Sequence, residues 1–193
     1  MTNHRIRVLS SACFVLSTAL ALAPAAAAEK REAEFWVGQY VPDPAALDSD
    51  IAFGVRGMMP ISKRGAFGFD VGYVSTEGEA RSGGTTGRLE WSSVFFDFVG
   101  DISLAPGKKV DPVFTFGAGV SFGSADVSIS GPLAGVSAEE LDDVSITLQG
   151  GFGVKIDLGK TMYLRPAARV RWFENRSDED LDTEYLIGLG WRY

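Results

Sequence analysis

Apolar and polar residues alternate along most of the chain from residue 29 onward. Between residues 144 and 158 one face collects the apolar side chains, namely Val144, Ile146, Leu148, Phe152, Val154, Ile156 and Leu158. The other face of that segment holds only Ser, Thr, Gln, Gly, Lys and Asp. A helix would mix these two sets, whereas a strand separates them. The alternation predicts eight strands, over residues 34–41, 50–59, 66–77, 88–103, 112–127, 143–158, 161–174 and 183–193.

The predicted connections between these strands alternate in length. Three are short, at Pro60–Gly65, around Ala105–Lys109 and near Gly159–Lys160, and the others are longer, at 42–49, 78–87, 128–142 and 175–182. Short turns at one end, long loops at the other and an even strand number are typical of bacterial outer-membrane barrels. The predicted fold is all-β, an eight-stranded antiparallel up-and-down transmembrane β-barrel with both chain ends on the turn side. A soluble secreted barrel or sandwich is the alternative.

The distribution of glycine and aromatic residues indicates whether the apolar face of the barrel points outward or inward. If the apolar face points outward, the inward face receives Gly54, Gly68, Gly72, Gly117, Gly119, Gly123, Gly151, Gly153, Gly188 and Gly190, and the outward face receives Gly57, Gly100 and Gly150. A narrow lumen requires small residues. The outward face then carries Phe67, Phe69, Tyr73, Phe96, Phe98, Phe114, Phe116, Phe122, Phe152 and Trp172. So much exposed aromatic surface favours a membrane barrel over a soluble one.

The first 28 residues have the pattern of a cleaved signal peptide. A basic start is followed by an apolar core at 8–23 and by small residues at a cleavage site, Ala26 and Ala28. The core is too short for a membrane anchor, and a lipid anchor at Cys13 lacks the usual preceding Leu. The predicted domains are therefore a signal peptide, 1–28, and a barrel, 29–193. His4 and Cys13, the chain's one His and one Cys, leave with the signal peptide. We therefore expect no enzyme, no metal site and no cofactor.

The charge pattern bears on partners. The net charge of -7 disfavours a nucleic-acid partner. The predicted loops are acidic, with Asp43, Asp48, Asp50, Glu139, Glu140, Asp142, Asp143, Asp178, Glu179, Asp180 and Asp182, and the short turns are basic, with Lys63, Arg64, Lys108, Lys109 and Lys160. The acidic loops either are simply solvated or bind divalent cations that bridge to lipopolysaccharide phosphates. The spacing of Asp178, Glu179, Asp180 and Asp182 does not match an EF-hand.

The polar face of the strands places charges of both signs in the lumen. The predicted set is Arg56, Asp70, Asp97, Asp101, Lys155, Asp157, Arg165, Arg169, Arg171, Glu184 and Arg192. Because unpaired buried charge is costly, this near-balanced set predicts a paired network that plugs the lumen. An ion path or substrate site is the alternative. Trp91, Phe95 and Val99 also point inward, and they predict either local packing or a small apolar pocket.

The chain end resembles the terminal assembly signal of small outer-membrane β-barrel proteins of the OmpA/OmpX type. Gly188, Trp191 and Tyr193 carry the resemblance, and Leu186 departs from it because a polar residue is usual there. The resemblance implies insertion by the barrel-assembly machinery into the outer membrane of a Gram-negative bacterium. We expect outer-membrane lipid and lipopolysaccharide as partners, and a monomer. The expected function is a non-enzymatic envelope-structural or surface-interaction role, with a small pore or transporter for ions or small apolar solutes as the alternative.

Overall fold

The computed structural model describes residues 30–43, 48–82, 85–130, 141–174 and 181–193. The predicted signal peptide, with Ala26 and Ala28, lies outside these residues and stays a prediction. The described chain forms strands β1 (Glu32–Val41), β2 (Asp50–Pro60), β3 (Gly65–Ser82), β4 (Thr85–Ser103), β5 (Val110–Ser130), β6 (Leu141–Asp157), β7 (Met162–Phe173) and β8 (Leu181–Arg192). Each overlaps one predicted strand, and the largest difference is at β3, which ends five residues after the predicted end.

The strands close into an antiparallel barrel in which every strand pairs with its neighbours in chain order. The barrel closes between β1 and β8, where Trp36 lies opposite Gly188. On its other side Trp36 lies opposite Gly54 of β2. This arrangement is the predicted eight-stranded up-and-down barrel. No helix in the described residues is long and apolar enough to cross a membrane.

The four strands β3 to β6 are longer than the other four, and β3, β4 and β5 exceed their predicted lengths by three residues or more. Strands β3 to β6 have 17 to 21 residues, against 10 to 12 in the other four strands. Pairing of β3 with β2 ends at Val74, so residues 75–82 rise beyond it on the loop side, by about 26 Å at roughly 3.3 Å per residue. We call residues 75–82, 85–92, 124–130 and 141–146 the sheet extension. The prediction of a long loop at 78–87 is wrong, because β3 and β4 continue through most of this segment. The outer face of a strand that extends beyond the lipid meets water and need not be apolar.

The two faces of the wall have the predicted phase. Large apolar side chains are exposed on the outside, for example Phe98 at 58% and Phe122 at 53%. On the inside, glycines make room for large neighbours. A Cβ atom at Gly54 would lie 2.4 Å from the Trp36 ring, and one at Gly72 would lie 2.7 Å from it. An apolar outer surface around a lumen filled by side chains is the arrangement of a small membrane barrel.

Candidate functional site in the barrel lumen

All the charged residues predicted to face the lumen lie on inward positions. Nine are buried, namely Arg56, Asp70, Asp97, Asp101, Lys155, Arg165, Arg169, Arg171 and Glu184. Asp157 and Arg192 lie at the turn-side mouth, where their side chains are 28% and 21% exposed. The two-residue period puts these groups on one face of each strand, and barrel closure then brings the faces together.

Asp70 is the centre of the buried network. One of its oxygens accepts a hydrogen bond of 2.8 Å from the indole N–H of Trp36. The other accepts bonds of 2.6 Å from Nη2 of Arg56 and 2.7 Å from Nη1 of Arg169. The guanidinium of Arg169 also lies 4.5 Å from the centre of the Trp36 ring, as in a cation–π contact. Three strands therefore converge on a carboxylate of a fourth.

A second buried group lies on the loop side of Asp70. Glu184 accepts a hydrogen bond of 2.6 Å from Nε of Arg169 and one of 3.2 Å from Nε of Arg171. Arg171 donates a further hydrogen bond of 2.7 Å to Asp97. The other oxygen of Asp97 accepts a hydrogen bond of 2.8 Å from the Thr147 hydroxyl. Among the described residues, Arg171 is the one cation within salt-bridge distance of Asp97.

A third group fills the turn side of the lumen. Asp101 faces three cations, with Lys155 at 3.3 Å and both Arg56 and Arg165 at 3.7 Å. Lys155 also donates a hydrogen bond of 2.6 Å to Glu32. Glu32 accepts a second bond of 3.0 Å from Arg192.

These contacts join into one chain of alternating charge. Its members, in order from the turn-side mouth, are Asp157, Arg192, Glu32, Lys155, Asp101, Arg56, Asp70, Arg169, Glu184, Arg171 and Asp97. We call it the charge chain. Arg165 branches from it at Asp101 and reaches Glu34 at 3.4 Å. Pairing of this kind offsets the cost of burying ions.

Sequence reasoning missed two acids of the lumen, Glu34, which is buried, and Glu32, whose side chain is 14% exposed. They occupy the inward row of β1 that continues to Trp36 and Tyr40. The predicted strand begins at Glu34, but this residue is absent from the predicted inward set, and Glu32 lies before the predicted strand. Following the same two-residue period back along β1 would have placed both in the lumen. The hydroxyl of Tyr163, which donates a hydrogen bond of 3.0 Å to Glu34, was missed as well.

An apolar cluster closes the lumen on the loop side. It contains Trp36, Tyr40, Ala52, Val74, Phe95, Phe173 and Leu186, with Trp91 and Ala167 packed against it. The Tyr40 ring stacks on Trp91 at 5.9 Å and on Phe95 at 6.3 Å. The inward apolar residues of β4 therefore pack locally, in place of an open pocket. Leu186, which departs from the family pattern, fills this cluster.

The acidic loop residues are only partly within the described chain. Glu139, Glu140, Asp178, Glu179 and Asp180 lie outside it. The surface position predicted for Asp182 is wrong, because this residue is fully buried at the start of β8. It accepts hydrogen bonds from the Tyr40 hydroxyl and, at 2.9 Å, from the backbone N–H of Asp43. Its place in the inward row of β8 decides its burial.

The terminal residues lie on the turn side. Trp191 and Tyr193 point outward and are 41% and 68% exposed. Backbone hydrogen bonds of 3.0 Å in both directions join Tyr193 to Arg31. Gly188 points inward, where a Cβ atom would lie 2.5 Å from a Glu34 carboxylate oxygen. Their role as an assembly signal stays a prediction.

The described residues form no cluster suited to a metal ion, and a recess opens at the turn-side mouth of the lumen. No group of three or more His, Cys, Asp or Glu side chains among them is placed to hold a metal ion. At the turn-side mouth a recess of about 320 Å³ is lined by Asp101, Lys155 and Arg192 of the charge chain and by Lys63, Arg64, Lys108 and Lys160 of the short turns. The recess therefore meets the charge chain directly.

Comparisons with known proteins agree with this architecture. A family model described as the outer membrane protein beta-barrel domain matches residues 12–193. Among curated proteins, none matches the chain in sequence.

Three solved structures show the same fold at low sequence identity. A major outer membrane protein from Thermus thermophilus is 12% identical, with a TM-score of 0.59 over 86% of this chain and 100% of that one. Ail, the attachment invasion locus protein of Yersinia pestis, is 12% identical, with a TM-score of 0.51 over 86% of this chain and 99% of that one. Neisserial surface protein A is 16% identical, with a TM-score of 0.51 over 84% of this chain and 97% of that one. This chain belongs to the outer membrane protein beta-barrel domain family, and it is a β-barrel of the Gram-negative outer membrane.

Proposed function

We propose that this barrel is a non-enzymatic outer-membrane protein with a closed lumen, acting in envelope structure or surface interaction through its loop side. The charge chain carries the proposal, because it runs from the turn-side mouth to the apolar cluster without leaving the lumen. An ion crossing the barrel would have to displace paired arginines, and removing one partner of a buried pair costs about 3–5 kcal/mol. Such a barrel differs from a porin, whose lumen is water-filled.

The absence of an enzymatic role is supported by the residue inventory. The barrel sequence from residue 29 holds neither His nor Cys. Nucleophilic catalysis by Ser–His or Cys–His is therefore unavailable to it. The lumen carboxylates are held in ion pairs with arginine or lysine, as at Asp70 and Glu184, so they are engaged in structure.

The loop side supports a surface role through the sheet extension. Its outward face carries Glu77, Glu90 and Asp126 directly opposite one another on β3, β4 and β5. Arg88 bridges Glu77 and Glu90, and its side chain is 42% exposed. This acidic surface stands above the membrane and fits a cationic partner, because complementary charge steers association.

Single-channel recording in planar bilayers tests the closed lumen. The wild-type barrel is expected to show no stable large current steps. Trp36→Gly is the variant designed to open the lumen. Trp36 lies in register with Gly188, Gly54 and Gly72, so the substitution would leave four neighbouring inward positions, on β8, β1, β2 and β3, without a side chain. Phe98→Ala, on the outer face, is the matched control. Reproducible porin-sized steps from the wild type would overturn the closed lumen and favour a small pore or transporter.

The surface role has its own test. Binding of polylysine is measured to the barrel in nanodiscs of zwitterionic lipid. The variant Glu77→Gln/Glu90→Gln/Asp126→Asn is expected to bind less polylysine than the wild type, because its extension has lost three carboxylates. Ser92→Ala/Ser124→Ala, which changes neutral residues of the same extension, is the control. Equal binding by all three proteins would contradict a role for the acidic extension.

A further inference from the structure

Each of the three short turns begins with an exposed aliphatic residue. Ile61, Leu104 and Leu158 are 67%, 49% and 58% exposed. Each lies two residues after the last outward apolar residue of the preceding strand, which is Met59, Ile102 or Ile156 respectively, and so extends the outward apolar face of that strand. The backbone N–H of each residue still bonds across its hairpin, at 2.9–3.0 Å. The lipid-facing surface therefore reaches into the turns themselves.

Each turn then carries exposed cations a few residues further on. The first has Lys63 and Arg64, the second has Lys108 and Lys109, and the third has Lys160. None of the turn residues 61–64, 104–109 and 158–161 is acidic. We call Ile61, Lys63, Arg64, Leu104, Lys108, Lys109, Leu158 and Lys160 the turn-side rim. The same pairing of apolar and basic residues recurs at three of the four strand junctions on this side.

Acids near the rim are engaged elsewhere. Glu32 and Asp157 bind Arg192 in the mouth of the lumen. Asp111 accepts hydrogen bonds of 2.6 Å from the Ser103 hydroxyl and 2.9 Å from the backbone N–H of Ala105. Within the described ranges no carboxylate forms a salt bridge with the rim cations. The rim therefore presents net positive charge.

The fourth junction, between the two chain ends, has a related pair. Tyr193 is 68% exposed and lies beside Arg31 through their reciprocal backbone bonds. The exposed ring of Tyr193 adds an apolar group to the turn side at this junction. The combination thus extends around the circumference of the barrel. A ring of this kind matches the boundary between hydrocarbon and headgroups, where apolar and basic residues meet their preferred surroundings.

We propose that the turn-side rim binds the anionic headgroups of phospholipids in the periplasmic leaflet, with phosphatidylglycerol as the representative. Short turns of outer-membrane barrels face the periplasm. The aliphatic residues place the turns at the hydrocarbon edge, and the cations then lie at the level of the lipid phosphates, where basic residues are attracted to anionic lipid. A soluble anionic polymer such as peptidoglycan would use the cations but leave Ile61, Leu104 and Leu158 in water. The acidic sheet extension confines this preference to one side of the barrel.

Tryptophan quenching by brominated lipids tests the proposal, whether or not the lumen conducts. Trp191 and Trp172 lie on the outer face at the turn side and the loop side, whereas Trp36 and Trp91 belong to the lumen cluster. The full-length barrel with Trp172→Phe reports lipid at the turn side, and the barrel with Trp191→Phe reports lipid at the loop side. Each is placed in phosphatidylcholine vesicles, into which brominated phosphatidylglycerol or brominated phosphatidylcholine is introduced.

The expected result is a preference for phosphatidylglycerol of about threefold or more at Trp191, with none at Trp172. Replacing the five rim cations by Gln should bring the Trp191 preference close to one, in protein whose heat-dependent migration shows a folded barrel. High salt should do the same to the unsubstituted rim, because it screens exposed charges. A Trp191 preference that is absent, or that survives both treatments, would overturn the proposal. Cation-dependent sedimentation with isolated peptidoglycan, without lipid preference, would replace it with a polymer-binding rim.

Discussion

Arg169 and Arg171 occupy successive inward positions on β7, yet the structure predicts unequal costs for their removal. Arg169 binds Asp70 and Glu184, and each of these acids keeps a second cation, Arg56 or Arg171. Replacing Arg171 by Met removes the cation that pairs with Asp97. Among the described residues, only the Thr147 hydroxyl would then remain as a partner of this carboxylate.

The magnitudes follow from these partners. Arg171→Met strands a buried carboxylate, for which the expected loss of unfolding free energy is about 4–5 kcal/mol. Arg169→Met removes charged hydrogen bonds but leaves no carboxylate without a cation, so about 2–3 kcal/mol is expected. Each arginine also stacks on a ring, Arg169 on Trp36 at 4.5 Å and Arg171 on Phe95 at 4.1 Å, so the stacking losses are similar. The difference therefore comes from Asp97.

Equilibrium unfolding by urea in lipid vesicles measures these losses, with tryptophan fluorescence and heat-dependent migration as independent probes. Val170→Ala is the matched control, because Val170 lies between the two arginines on the outer face and is 43% exposed. It should cost about 1 kcal/mol or less. Adding Asp97→Asn to Arg171→Met removes the stranded charge and should restore about 2 kcal/mol.

Two results would refute this reasoning. If Arg169→Met proved as damaging as Arg171→Met, the second cations at Asp70 and Glu184 would not compensate as the contacts imply. If Asp97→Asn lowered stability further in the Arg171→Met background, the carboxylate would not be the source of the loss. A control variant Val170→Ala that cost as much as either arginine variant would contradict the inward assignment of β7.

Two other predictions concern the wall and the chain end. Gly54→Ala should destabilise the barrel by about 1–3 kcal/mol, because its Cβ atom would lie 2.3 Å from the Val71 carbonyl oxygen and 2.4 Å from the Trp36 ring, whereas Gly150→Ala, with nothing within 4 Å, should be tolerated. Urea unfolding of the two variants compares them, and equal losses would contradict the packing of Trp36. Tyr193→Ala should lower the amount of folded protein in outer-membrane fractions, as the terminal assembly signal implies, measured by immunoblot without boiling. Tyr185→Ala, also exposed on β8, should keep normal abundance, and normal abundance of Tyr193→Ala would remove the assembly role.

The sequence by itself determined the strands, their order and their two faces. These features are encoded locally, because each strand must present apolar residues to lipid and small or polar residues to the lumen at every second position. The inward direction of Arg165, Arg169 and Arg171 follows from that rule alone, since each would be costly in lipid. The same rule was applied too narrowly at β1, where Glu32 and Glu34 share the inward row.

Only the tertiary structure decided which charges pair and how the lumen closes. Arg169 and Asp70 are 99 residues apart in the chain, and Trp36 and Asp70 are 34 apart. Their contacts depend on the register of every strand between them and on closure of β1 against β8, which no local pattern records. The sheet extension was missed for a related reason. Above the membrane the outer face of a strand meets water and need not be apolar, so the alternation that marks a lipid-facing strand is no longer required.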